Sequence, residues 1–237
     1  MGETETVRRL VISIAVLWLL LLHSLAHAQA QAPTLDDVLK KLDATAATFR
    51  SLQADFVWDE YTKVVDETDT QKGAVYYRRT GQNVEMMAEV KDPAQKFVLY
   101  KDGKLQVYQP TIDQVMEYST GGNRSEIESY LVLGFGGSGE DLKKSFDVSS
   151  LGEQAVDGIQ TVELQLLPKS DKLRNNISKI FLWIDMSRGI SIQQQFFQSQ
   201  GDYRLARYSA IKSPAKIGND VFQLKTTKKT QFISPRG

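Results

Sequence analysis

The spacing of apolar residues changes once near the start of the chain, and the change separates a predicted helix from a predicted sheet. Apolar residues first recur at helical spacing from Leu35 to Leu52, which predicts an amphipathic helix that runs to about Ala54. Thr34, three residues before Asp37, predicts a capping box at its start. From Asp55 onward the period is two, as in β-strands.

Two groups of short alternating stretches predict antiparallel strands on either side of a helical interruption. Asp102-Gly103, between two apolar runs, is a strong signal for a hairpin turn. Ser125 to Phe135 predicts a short helix, and Glu140 to Phe146 predicts another turn of helix. The predicted strands lie near 55–66, 71–80, 82–91, 95–101, 104–109, 113–119, 146–151, 159–168, 177–186, 189–199, 203–212 and 219–226. The tail from Lys228 is expected to be disordered or to add an edge strand.

The order of these elements favours an α+β fold without parallel crossovers. A flat open sheet of this many strands would be unusual, so we expect an incomplete antiparallel β-barrel with helices covering its concave hydrophobic face. The chain has 237 residues, which suffices for one domain with a substantial core. Residues 31–237 are therefore expected to form a single domain.

The first residues of the chain have the pattern of a signal peptide. Two arginines precede an apolar run from Leu10 to Leu22, and small residues allow cleavage after Ala28 or Ala30. The alternative is an uncleaved anchor helix, but the run is shorter than the ~20 residues that span a membrane. We expect residues 1–30 to be removed on secretion to the periplasm.

Composition then narrows the possible chemistry. The chain has no cysteine, and His23 and His27 are its only histidines. Both histidines precede the predicted cleavage site, so the mature chain would lack Ser-His, Cys-His and histidine–zinc chemistry. The formal net charge is zero, which gives no electrostatic support for nucleic-acid binding. No inward-facing carboxylate pair is visible, and we expect no enzymatic activity and no bound metal.

The glycine-rich segment from Gly134 to Gly139 matches G-x-G-x-x-G. A single match of this kind is a weak indicator of nucleotide binding, because no βαβ pattern surrounds it. A hinge or loop is the better interpretation, and no cofactor is expected.

Several strands carry a continuous apolar stripe on one face. Val75 and Tyr77 share a face with Arg79, and Met86 lies on an apolar face of the next strand. An arginine at the end of such a stripe indicates the rim of a hydrophobic cavity, although a solvent-facing strand end and an ordinary packed core are the alternatives. The predicted lining residues are Leu39, Leu42, Phe49, Phe56, Val75, Tyr77, Val84, Met86, Phe97, Leu99, Leu105, Val107, Leu131 and Phe135.

Taken in order, these segments resemble the LolA family of periplasmic outer-membrane lipoprotein carriers. The resemblance covers about residues 35–226 and rests on an ordered set of segments, none of which is highly specific alone. The segments are Phe49 to Phe56, Gly73 to Arg79, Asp102 to Pro110, Lys179 to Asp185, and Asp220 to Phe222.

The resemblance implies a function as well as a fold. A family member takes acylated lipoprotein or lipid cargo from an inner-membrane ABC transporter and passes it to an outer-membrane receptor, without a cofactor. The family has an arginine that holds a helical lid shut, and Arg79 matches its position. A monomer is expected. The alternatives are a lipid- or lipoprotein-sensing domain of the same fold and, less favoured, a hydrolase that uses only carboxylates.

Arg79→Leu tests the implied lid. Burying an acyl chain contributes about 0.8 kcal/mol per CH₂, and release requires the cavity to open. Arg79 is expected to donate hydrogen bonds to carbonyls within 124–139, so the variant should retain cargo uptake and be impaired in transfer to an acceptor. Transfer is measured with purified acceptor, and a normal transfer rate would contradict the role.

Overall fold

The computed structural model describes residues 32–81, 83–119, 128, 130–198 and 200–234. The predicted signal peptide, residues 1–30, and residues 125–127 and 129 of the predicted interrupting helix lie outside this part of the chain. Pro33–Gly237 forms one compact unit. No helix within the described ranges is both long enough and apolar enough to cross a membrane.

Strands dominate the described residues. The helices are α1 (Leu35–Thr48), α2 (Gly139–Ser145) and α3 (Asp171–Arg174), with 3₁₀ turns at Pro110–Ile112 and Asn219–Phe222. The strands are β1 (Ser51–Thr62), β2 (Glu67–Thr80), β3 (Asn83–Asp92), β4 (Lys96–Lys101), β5 (Lys104–Gln109), β6 (Gln114–Ser119), β7 (Phe146–Val156), β8 (Ile159–Pro168), β9 (Ile177–Asp185), β10 (Ile190–Gln198), β11 (Tyr203–Lys212) and β12 (Gln231–Ile233).

All twelve strands belong to one open sheet, in the order β12-β6-β5-β4-β3-β2-β1-β11-β10-β9-β8-β7. Neighbours are antiparallel except β12, which runs parallel to β6. Long-range pairing of β1 with β11, from Gln53 opposite Lys212 to Tyr61 opposite Tyr203, joins the two hairpin series. The sheet is not closed, and the predicted α+β incomplete barrel is confirmed.

The first helix begins as predicted and ends earlier. The Thr34 hydroxyl accepts a hydrogen bond from the Asp37 amide, and the Asp37 carboxylate accepts one from the Thr34 amide, so the predicted capping box is present. The helix ends at Thr48 rather than near Ala54, which corrects the prediction. Phe49 has extended backbone angles, and the residues that follow pair with β2. The apolar residues Leu52 and Ala54 are compatible with either a helix or a strand, and pairing with β2 makes this segment a strand.

The end of the chain also differs from the prediction. Residues 219–226 do not form a strand; a 3₁₀ turn carries Phe222, which is fully buried against Met87 and Leu99. The last strand is β12, which adds to the edge of the sheet at β6, and the expectation of an edge strand in the tail is thereby met. Phe222 stabilises this segment by filling a gap on the sheet surface, so no ladder of backbone bonds is needed.

The core lies on both faces of the sheet. We call the face that carries Val75 and Tyr208 the inner face, and the opposite face the outer face. Helix α1 buries Leu39 and Leu42 on the inner face of the β8–β9 region, together with α2. The C-terminal segment around Phe222 covers the outer face of β3 and β4.

A buried carboxylate fixes the turn between β9 and β10. The Asp185 side chain accepts hydrogen bonds from the Ser187 amide at 2.8 Å and from Arg188 Nε at 2.6 Å, and it is only 4% exposed. Burial alone would raise the pKa of Asp185, but the bonds from Ser187 and Arg188 and the arginine charge outweigh it, so this pKa lies below its usual value.

Asp185→Asn should lower the free energy of unfolding at neutral pH by about 1–3 kcal/mol, because a charge-assisted bond is lost in a buried site. Since the folded pKa of Asp185 is depressed, its contribution is present above the unfolded pKa and is lost as pH falls through the folded pKa. Urea unfolding at several pH values measures both effects. Asp147→Asn is the control, because that carboxylate is exposed and lies 3.7 Å from Lys169. Equal losses in the two variants would contradict the assignment.

Candidate functional site

The segment Tyr130–Ser138, here called the strap, lies against the inner face of the sheet. Glu128, Tyr130 and Leu131 are helical, and turns follow from 132 to 136. The Phe135 side chain is 1% exposed. Its ring packs edge-on against Tyr208 of β11 at 4.6 Å and tilted against Tyr77 of β2 at 5.3 Å between centroids. The strap therefore contacts strands from both halves of the sheet.

Glycines allow the strap backbone to approach its neighbours closely. Gly134 has φ +77°, and a Cβ there would lie 2.5 Å from Cβ of Ser191. Gly136 has φ +127°, and a Cβ there would lie 2.6 Å from the Phe49 ring. The predicted helix to Phe135 ends at Leu131 because such backbone angles are not helical. The G-x-G-x-x-G match lies in a packed loop, consistent with its interpretation as a loop.

Polar bonds attach the strap to the sheet through its backbone carbonyls. Gln194 Nε2 donates to the Leu133 carbonyl at 2.7 Å, and the Ser191 amide donates to the Gly134 carbonyl at 2.7 Å. Both donors belong to β10. Because the bonds go to backbone oxygens, they position the strap without requiring particular side chains on it.

Arg79 connects the strap, α1 and β2. Its Nη2 donates to the Gly136 carbonyl at 3.0 Å, and its Nη1 donates to the Ala46 carbonyl at 3.4 Å. The guanidinium lies 5.4 Å from the centroid of the Phe49 ring, within the range of a cation–π contact. Burial lowers the pKa of Arg79. The sequence placed this donor opposite the 124–139 segment; its role as a gate stays a prediction.

Between the strap and the two halves of the sheet lies a cavity of about 880 Å³. Its lining is amphipathic: we call the apolar and aromatic lining residues the apolar wall and the polar lining residues the polar wall. The apolar and aromatic lining residues are Trp58, Val75, Tyr77, Met86, Ala88, Val98, Leu105, Val107, Tyr130, Leu131, Ile177, Phe196, Ala206 and Tyr208. The polar lining residues are Gln71, Lys96, Asn175, Asn176, Gln194, Gln198, Gln200, Asp202 and Arg204.

The structure brings some of the predicted lining residues to the cavity and places others in the core. Those that line it are Val75, Tyr77, Met86, Leu105, Val107 and Leu131. Those buried elsewhere on the inner side are Leu39, Leu42, Phe49, Phe56, Val84 and Phe135. The latter fill the core between α1, the strap and the sheet, and a period-two pattern does not distinguish such residues from a cavity wall.

Phe97 and Leu99 were predicted on the wrong face. They lie on the outer face of β4, in the cluster that contains Phe222, while Val98 and Tyr100 face inward. Both faces of β4 are apolar because the C-terminal segment covers the outer one. Alternation therefore carried no information about which face was which.

The cavity residues of the last two long strands were not identified from the sequence. They lie on β10 and β11, where Gln194, Phe196, Arg204 and Tyr208 face inward. Glutamine and arginine at alternate positions suggest a solvent-facing surface, so these strands did not show an apolar stripe. Their period-two spacing was the one feature of the sequence that could have shown that these side chains share a face.

The titratable groups of the site are shifted by burial. Burial raises the pKa of Tyr77 and the pKa of Tyr208, so both phenols stay neutral. Burial and the nearby charge of Arg204 lower the pKa of Lys96. Within the described part of the chain, no group of three or more His, Cys, Asp or Glu side chains could hold a metal ion.

The fold is an open half-barrel whose apolar inner face is covered by α1 and the strap. No family model and no curated protein matches this chain. Among solved structures it is similar to MucB, with TM-score 0.51 and 18% identity over 83% of this chain and 64% of that one. It is also similar to an uncharacterized conserved protein from Thermus thermophilus, with TM-score 0.53 and 10% identity over 84% of this chain and 98% of that one.

A LolA superfamily protein from Nitrosomonas europaea matches with TM-score 0.40 and 15% identity, over 81% of this chain and 99% of that one. At these identities the likenesses concern the fold alone. The likeness to MucB and to the Thermus thermophilus protein supports the predicted open antiparallel half-barrel. It spans less than two thirds of the length of MucB.

Arg79→Leu should loosen the strap specifically. Hydrogen bonds from a charged donor contribute about 1.5–3 kcal/mol, so amide exchange at Phe135 and Gly137 should accelerate by about tenfold or more. Hydrogen–deuterium exchange with mass spectrometry measures the exchange rate of these amides. Arg78→Leu is the matched control, because Arg78 pairs with Glu85 at 2.6 Å on the other side of the same strand. Unchanged strap exchange in Arg79→Leu would contradict the anchoring role.

Proposed function

We propose that this protein is a non-enzymatic carrier that binds the acyl chains of a lipid or lipoprotein in the cavity. The observation that carries the proposal is an amphipathic cavity beneath a strap that polar bonds hold in place. Its volume of about 880 Å³ lies within the roughly 300–1,000 Å³ of ligand sites in proteins. The carrier works outside the cytoplasm, which the signal-peptide pattern supports.

Acyl chains suit the apolar wall of the cavity. Each buried CH₂ contributes about 0.8 kcal/mol, so a chain gains steadily with every carbon that leaves water. Met86 gives this wall a side chain that adapts to irregular apolar shapes. Ala88 and Ala206 leave room between larger neighbours.

Loading is coupled to movement of the strap. The Phe135 ring contacts Tyr77 and Tyr208, both of which line the cavity. An entering chain takes over these contacts, so Phe135 can leave them without exposing the two tyrosines to water. The bonds of Arg79 and Gln194 to the strap break when the strap opens, and water that takes their place offsets part of the cost.

The complete cycle moves cargo from the inner to the outer membrane. An inner-membrane ABC transporter as donor and an outer-membrane receptor as acceptor follow from the resemblance to LolA carriers. The cargo is acylated lipoprotein or free lipid, held by a single monomeric domain. A binding role without catalysis suits a lining of amides, phenols, one ammonium, one guanidinium and one carboxylate, with no histidine or cysteine among the lining residues.

A lipid- or lipoprotein-sensing domain is the second candidate, and the likeness to MucB favours it. MucB of Pseudomonas aeruginosa is described in complex with MucA. Such a domain would keep its ligand and respond through a protein partner. A carrier differs in releasing its ligand to an acceptor, so transfer from loaded protein to lipid vesicles distinguishes the two.

Ala88→Phe should abolish acyl binding, because Ala88 lines the cavity and is 1% exposed. The chain from Gln31 is purified from a bacterial periplasm without detergent and analysed by native mass spectrometry. We expect the wild type to carry lipid or acylated peptide near a one-to-one ratio and the variant to be empty. Ala155→Phe, at an exposed position of β7, is the control, and circular dichroism checks folding of both. An empty wild type that also refuses added acylated peptide would refute the carrier proposal.

A further inference from the structure

The polar wall of the cavity contains a cation without a matching carboxylate. Lys96 begins β4 on the inner face, two residues before Val98. Its Nζ donates to Gln71 Oε1 at 2.9 Å. No carboxylate among the described residues forms an ion pair with it, and its side chain is half-buried.

The other charged groups of this wall have different partners. Arg204 pairs with Glu60 at 3.1 Å and lies over the Trp58 ring at 5.8 Å. The Asp202 carboxylate accepts a hydrogen bond from the Lys63 amide at 2.9 Å. Burial and the positive charge of Arg204 lower the pKa of Lys96, and the Glu60 carboxylate offsets part of this shift. Lys96 is therefore the cation of this wall that has no carboxylate within ion-pair distance among the described residues.

A half-buried ammonium is costly unless acceptors surround it. The group has three donors, of which Gln71 accepts one, and the partner is a neutral amide. An anionic oxygen would supply both an acceptor and a negative charge in direct contact with the ammonium, in a bond roughly twice as strong as a neutral one. Because Lys96 lines the cavity, a ligand bound there can supply such an oxygen.

Apolar surface continues directly from this cation. Val98 follows Lys96 on the inner face of β4, and Leu105 and Val107 line the cavity from β5. A ligand that fits both features has a charged end and a hydrocarbon chain. The chain would lie along these strands while the charged end stays at Lys96.

We propose that the cavity selects amphiphiles with a single anionic head group, a carboxylate or a phosphate, which Lys96 binds while the alkyl chain lies against Val98, Leu105 and Val107. This inference rests on the carrier function proposed above and names the ligand class of the same cavity. A free fatty acid supplies the carboxylate, and a phospholipid supplies the phosphate.

Isothermal titration calorimetry at neutral pH tests the selection with lauric acid, dodecyl phosphate and dodecan-1-ol, which share one alkyl chain. We expect the wild type to bind at least one of the two anions about tenfold more tightly than the alcohol. Lys96→Met should remove this preference and leave the Kd for the alcohol within about twofold. Lys96→Arg should retain it, since the charge and donors remain.

Lys91→Met is the matched control, because Lys91 lies exposed on the outer face of β3, and it should keep the wild-type preference. The stronger anion identifies the head group as carboxylate or phosphate. Equal Kd values for all three ligands in the wild type, or a preference that survives in Lys96→Met, would overturn the anionic selection and leave the carrier function standing. Failure of all three to bind would overturn both.

Discussion

The pairing of β1 with β11 is the contact on which the rest of the structure depends. It joins residues some 150 positions apart, as with Asp59 and Leu205, and turns two separate series of hairpins into one sheet. Only then do Val75 and Met86 face Gln194 and Tyr208 across a common space. Loop-closure entropy opposes such a non-local pairing, and the contacts between the two halves across the cavity depend on it.

An open sheet with an apolar inner face must keep water away from that face, and this protein covers it in two different ways. Helix α1 covers the β8–β9 side by close packing of Leu39 and Leu42, with little room left. The strap covers the middle through polar bonds to its carbonyls and one deeply buried ring, that of Phe135. The first arrangement gives a permanent core, whereas the second leaves a space whose cover can be exchanged for a ligand.

Under the proposed carrier function, the two walls of the cavity have different roles. The apolar wall attracts any hydrocarbon in proportion to its area, so it cannot distinguish one chain from another. The polar wall, with Lys96, Gln71 and Arg204, is the part that can read a head group. Under the proposed function, Lys96 on β4 and Gln71 on β2 select the head group, whereas affinity for the chain comes from the apolar lining residues of β2 to β5.

The sequence by itself determined the local elements. Capping by Thr34 and Asp37, the hairpin at Asp102 and period-two alternation predicted α1 and nearly every strand, because these signals depend on neighbours in the chain. Only the tertiary structure decided which apolar residues line a cavity. Leu99 and Tyr100 are both buried, on opposite faces, and the distant Phe222 decided that the outer one is covered. The glutamines and arginine of β10 and β11 gave no apolar stripe, and their inward position follows from the β1–β11 pairing, which no local pattern specifies.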